Sequence, residues 1–132
     1  MPNLEDYSNQ AALIGRIFYA SLFILYGYMK LMGFAGATAY MAKMGLPAPA
    51  VSAAVAVIFE LGGGLLVLVG YQTRLVGLLL AIYTFIAALI AHAHFGDPAQ
   101  LTHFMKNMAI VGGGLFLAAS GAGAYSLDAR KG

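Results

Sequence analysis

The sequence contains no cysteine and no tryptophan. Lack of cysteine excludes disulfides, thiol redox chemistry and thiolate ligation of zinc or iron–sulfur clusters. Charge is also scarce: 9% of residues are charged, where an ordinary soluble domain has about 25%. In its place 61% of the chain is hydrophobic, and the mean hydropathy is +0.82. Such a composition reads as an all-α integral membrane protein, and 132 residues hold a single transmembrane domain, 1–132. The net charge of +2 comes from seven basic residues spread over loops and helix ends, so no patch for nucleic acid is present. A signal peptide is not expected, because Glu5 and Asp6 stand where a basic region would be.

Four apolar runs are present, at about 11–32, 49–70, 75–95 and 104–120. Three reach the ~20 residues that a helix needs to cross ~30 Å of hydrocarbon, and the last is at the short end of the range. The expected architecture is a membrane four-helix bundle of two hairpins. The segment GGGLLVL at 62 recurs as GGGLFLA at 112, each in the second helix of a hairpin, which hints at a doubled two-helix unit. The longest connection, GFAGATAYMAKMGLPAP, is punctuated by glycine and proline. Within it, TAYMAKMG suits a short interfacial helix with Tyr40, Met41 and Met44 towards lipid, or else a surface-hugging loop.

One acid, Glu60, sits near the middle of the second run. At mid-membrane a carboxylate costs roughly 2.5–3.5 kcal/mol, so it is expected to face inward and to have a partner. Ala53, Ala56, Glu60, Gly63 or Gly64 and Val67 share one stripe, and its small residues let helices approach closely. In the first run Arg16, Tyr19, Phe23, Tyr26 and Lys30 also share one face. Measured from the membrane face that bears the termini, Arg16 lies ~7 Å deep, Tyr19 and Tyr83 ~12 Å, Glu60 ~15 Å and Lys30 ~28 Å. This places Glu60 in a buried cluster with Arg16, Tyr19 and Tyr83. The alternative is a protonated, neutral Glu60 bonded to one tyrosine or a backbone group.

A second polar group, Lys30, His92, Lys106 and Asn107, gathers near the opposite face, either as interfacial anchors or as a receiver for the polar head of a ligand entering from the bilayer. His92 and His94 form an H-x-H pair, but on a helix their rings point about 200° apart, so no metal site is expected. Lysine and arginine near the helix ends divide as Arg16, Arg74, Arg130 and Lys131 against Lys30, Lys43 and Lys106. The margin of one residue favours cytoplasmic termini in a cytoplasmic (inner) membrane.

Five segments, LIGRIFYASLFILYGYMKLMGFAG, FELGGGLLVLVGYQTR, IAALIAHAHF, FMKNMAIVGGGLFL and GAGAYSLDAR, matched jointly and in order, resemble the DoxX family of small four-helix membrane proteins. On that resemblance Arg16, Lys30, Glu60, Arg74, His92, Lys106 and Asn107 take the positions of the family's recurrent polar residues. The resemblance implies a membrane subunit linked to quinone or sulfur-stress oxidoreduction, more an accessory subunit than a standalone enzyme. No intrinsic cofactor is expected. Quinone and redox partner proteins are the associations it suggests. Two other readings stay open: a small-solute carrier, which four helices could form only as a homo-oligomer, and a non-catalytic assembly or stress-response protein.

Overall fold

Proline, glycine and one aspartate set the helix ends. Pro49 opens a helix where its missing N–H costs nothing. Gly70, at φ 73°, closes that helix, and Gln72, at φ 51°, turns the chain into the next. Asp97 accepts a bond from the Ala99 amide at 3.0 Å, capping a helix that starts at Pro98 and stops at Gly121, φ 77°.

The computed structural model describes residues 4–92 and 95–131, and among these it holds six α-helices and no strand. Helix α1, Ser8–Met32, follows a 3₁₀ turn, and α2 is Phe34–Lys43. Helix α3, Pro49–Val69, contains a π turn at Ile58–Gly62. Helix α4 is Thr73–Ala91, α5 is Pro98–Ser120, and α6 is the short Leu127–Lys131. His94 lies outside the described residues, as does the side chain of Lys131.

Among the described residues three helices, α1 with its preceding turn, α3 and α4, are long and apolar enough to cross a membrane. Helix α5 has 23 residues but carries Gln100, His103, Lys106 and Asn107 in its first turns. It therefore begins well before the apolar run at about 104–120, because the Asp97 cap and Pro98 start it in polar sequence.

Helix α1 packs on α3, and α4 packs along α5. Small residues set both contacts. A Cβ on Gly27 would come within 2.5 Å of the Leu61 amide nitrogen, and one on Gly114 within 2.7 Å of the Gly77 carbonyl oxygen. Between the pairs, Ala20, Phe23, Val67, Val76 and Leu80 form the core. Phe18, Ile58 and Phe116, each more than two-thirds exposed, point outward, as lipid-facing side chains do.

The end bearing the termini is tied by two charges. Arg16 donates from Nη1 to the carbonyls of Val67 at 3.0 Å and Leu68 at 3.1 Å, and from Nη2 to that of Tyr125. The carbonyls of Val67 and Leu68 lie in the last turn of α3, where intrahelical donors run out, and Val67 O also accepts from the Gly70 amide at 3.1 Å. Asp128 accepts from the amides of Gln72 at 2.7 Å and Thr73 at 2.9 Å, capping the start of α4.

Candidate functional site

Glu60 sits in the π turn of α3, and such turns are rare in helices and frequent at functional sites. Its carboxylate is engaged at both oxygens. Lys30 Nζ donates to Oε1 at 2.7 Å, and the Tyr83 hydroxyl donates to Oε2 at 2.5 Å. The Glu60 side chain is 9% exposed and that of Lys30 is 29% exposed. Tyr83 stacks on Phe59 with ring centroids 5.1 Å apart and planes 8° from parallel, and the Lys30 ammonium stands 6.0 Å from the Tyr26 ring centre. An acid in hydrocarbon is tolerable on these terms: a cation neutralises it and a phenol takes its second oxygen.

This corrects the pairing expected from depth. Glu60 meets Lys30 and Tyr83, whereas Arg16 binds the carbonyls at the end of α3 and the Tyr19 hydroxyl donates to Ile110 O at 3.3 Å. The cause is register. Gly27 lies against Leu61 and Gly64 against Ile24, so Glu60 is level with residues near Tyr28. From there Lys30 is only two residues, about 3 Å of rise, away. Helix α1 does not run flush with α3. It ends beside the middle of α3, and α2 packs against the remaining part.

Two cavities meet at this ion pair. The first, about 430 Å³, lies among α2, α3 and α4, with Tyr40, Met41, Met44, Val55, Ile86 and Ile90 as its apolar walls. Tyr40, Met41 and Met44 thus line a cavity, where amphipathicity alone turns them to lipid. The second, about 340 Å³, lies among α1, α4 and α5. Lys30, Glu60, Tyr83, His92 and Asn107 belong to both linings, and Lys106 to the second.

Of the residues singled out in the sequence, the structure therefore brings together Glu60, Tyr83, Lys30, His92, Lys106 and Asn107, and leaves Arg16 and Tyr19 apart. His92 Nδ1 is 2.8 Å from Gln100 Oε1, and its ring stacks on that of His103 at 5.0 Å. Sequence reasoning misses His103, yet it shares a helical face with Asn107 and Ile110, the 3.6-residue signal that could have found it. Among the described residues no group of three or more His, Asp or Glu side chains is placed to hold a metal ion.

A family model described as DoxX matches residues 11–93. The chain belongs to the DoxX family. The matched span of this DoxX protein includes Arg16, Lys30, Glu60, Tyr83 and His92 and stops before His103, Lys106 and Asn107. The inner membrane protein YqjF of Escherichia coli (strain K12) is 40% identical over 128 residues, covering 97% of this chain and 95% of that one. The inner membrane protein YphA of the same organism is 40% identical over 123 residues, covering 89% of this chain and 88% of its own. No solved structure matches.

Proposed function

We propose that this DoxX protein is an accessory inner-membrane subunit that binds a quinone in the cavity among α2, α3 and α4, serving an oxidoreductase whose electrons come from a partner protein. The observation that carries the reading is Glu60. It is a carboxylate in a π turn, held by Lys30 and Tyr83 at the edge of an apolar cavity of about 430 Å³. Pockets of this size, mostly apolar with a few convergent polar groups, suit small lipid-soluble ligands. On this reading α5 is the fourth span: its 23 residues extend roughly 35 Å. Both termini then share one side, and the one-residue excess of lysine and arginine there favours the cytoplasm.

The lining fits a quinone head. Lys30 has three N–H donors and spends one on Glu60, while Asn107 offers amide donors in the same wall. These two would hold carbonyl oxygens. Bound quinone supplies two-electron, two-proton carrier chemistry. Glu60 and Tyr83 share a hydrogen bond beside it, so a proton can be held at the carboxylate or the phenol. With no cysteine to ligate a cluster, the electrons are assigned to a partner.

The test is purification from native membranes in mild detergent, followed by solvent extraction and mass spectrometry. About one quinone per protomer is expected for the wild type, falling severalfold for Glu60→Gln and Lys30→Met. Quinone no richer than in the bulk lipid extract would reject the reading.

A further inference from the structure

The second cavity has a chemistry of its own. At its deep end Leu22, Phe23 and Ile110 are apolar, and the Tyr19 hydroxyl crosses the seam between α1 and α5 to reach Ile110 O. Towards the end of α1 and the start of α5, the lining changes to Lys30, His92, His103, Lys106 and Asn107. The one acid in this lining, among the described residues, is Glu60, and both of its oxygens are taken by Lys30 and Tyr83. Lys106 therefore meets no free carboxylate in the wall, and two imidazoles stand beside it.

One ammonium not neutralised in the wall, with two imidazoles and an amide in the same lining, thus stands at one end of a groove whose other end is apolar. A snorkelling lysine explains its own position. It does not explain a cavity running from that lysine past a histidine and an asparagine to Leu22 and Ile110. We infer that this cavity binds an anionic amphiphile. Lys106 and His103 hold its carboxylate or phosphate head, and the start of its single chain lies along Leu22, Phe23 and Ile110. A volume of about 340 Å³ is roughly eleven water-sized volumes at ~30 Å³ each, enough for such a head and a few methylenes. The rest of the chain leaves through the seam between α1 and α5 into the bilayer. A compact ammonium suits either head group, since it acts as a point charge without demanding a planar partner.

The inference stands apart from the quinone reading, because Ile110 and Lys106 line this cavity and not the first. Native mass spectrometry of the full chain released from detergent micelles tests it. The probes are palmitate, hexadecanol, lysophosphatidic acid, acetate and inorganic phosphate. One palmitate per protomer should be retained, at least tenfold above hexadecanol. Retention of lysophosphatidic acid as well assigns the site to phosphate lipids too, and its absence narrows the head to a carboxylate. Lys106→Gln should lower palmitate retention about tenfold, and Ile110→Trp should do so by filling the groove while leaving quinone retention unchanged. Lys43→Gln, outside both cavities, should have no effect. Equal retention of hexadecanol, retention of chainless acetate or phosphate at the level of palmitate, or an unchanged Lys106→Gln variant would overturn the inference.

Discussion

Replacing Lys30 by methionine leaves a carboxylate inside the bundle with a phenol but no cation. Coulomb's law at an effective dielectric near 20 gives roughly 6 kcal/mol for unit charges at the 2.7 Å contact. Three effects reduce the net value. Lys30 keeps partial access to its surroundings, removing both charges from water is costly, and Tyr83 still bonds Glu60 in the variant. The expected coupling between Lys30 and Glu60 is therefore about 2 kcal/mol, within the range of contacting pairs. A double-mutant cycle of Lys30→Met and Glu60→Gln, read by unfolding in mixed micelles of increasing denaturing detergent, measures it directly. The double variant should be more stable than Lys30→Met alone. The same cycle on Arg16→Met and Glu60→Gln should be additive to about 0.5 kcal/mol, since those residues share no partner. A larger coupling to Arg16 than to Lys30 would refute the register read from Gly27 and Leu61.

Arg16→Met removes bonds to three carbonyls, and Arg16→Lys should restore little, because a single ammonium cannot reproduce the fork; a loss of about 3 kcal/mol in both, by the same unfolding assay, is expected. Asp128→Ala uncaps α4 and should cost about 1 kcal/mol, with faster proteolysis at the turn between Gly70 and Thr73 as the readout. Tyr83→Phe frees one Glu60 oxygen and should cost roughly 1–3 kcal/mol, an acceptor left without its donor inside the bundle.

Composition and run length make the all-helical class legible, and the second apolar run, expected at 49–70, forms a helix at Pro49–Val69 that is long and apolar enough to cross a membrane. Hydropathy fails where a helix begins in polar residues, which is why α5 starts at Pro98 although its apolar run starts near 104. Although Tyr26 on the same stripe is half exposed, the inward face of α1, from Arg16 through Tyr19 and Phe23 to Lys30, follows from helical periodicity alone. Its partner for Glu60 does not. Pairing across helices depends on their relative height, and nothing in either run states it. The height is set by contacts between Gly27 and Leu61 and between Gly64 and Ile24, long-range facts that emerge only once the helices are packed. The π turn is equally silent, because the residues IFELG read as ordinary helix.

The ion pair and the glycine contact are therefore one device, and this can be tested. A methyl group at position 27 would lie 2.5 Å from the Leu61 nitrogen and 2.9 Å from its Cα, both backbone atoms that cannot rotate aside. Gly27→Ala must push α1 away from α3 by about an ångström, at a cost of about 2 kcal/mol typical of overpacking. The Lys30 to Glu60 contact lies less than one turn further along the same interface. Its coupling should accordingly fall below about 1 kcal/mol in the Gly27→Ala background, since a charge pair weakens as it lengthens and admits water. Gly15→Ala, with nothing within 4 Å of the added carbon, is the matched control and should leave the coupling intact. If the pair keeps its full coupling in the Gly27→Ala variant, close backbone approach is not what brings lysine to glutamate. The flexible lysine stem alone would then account for the contact.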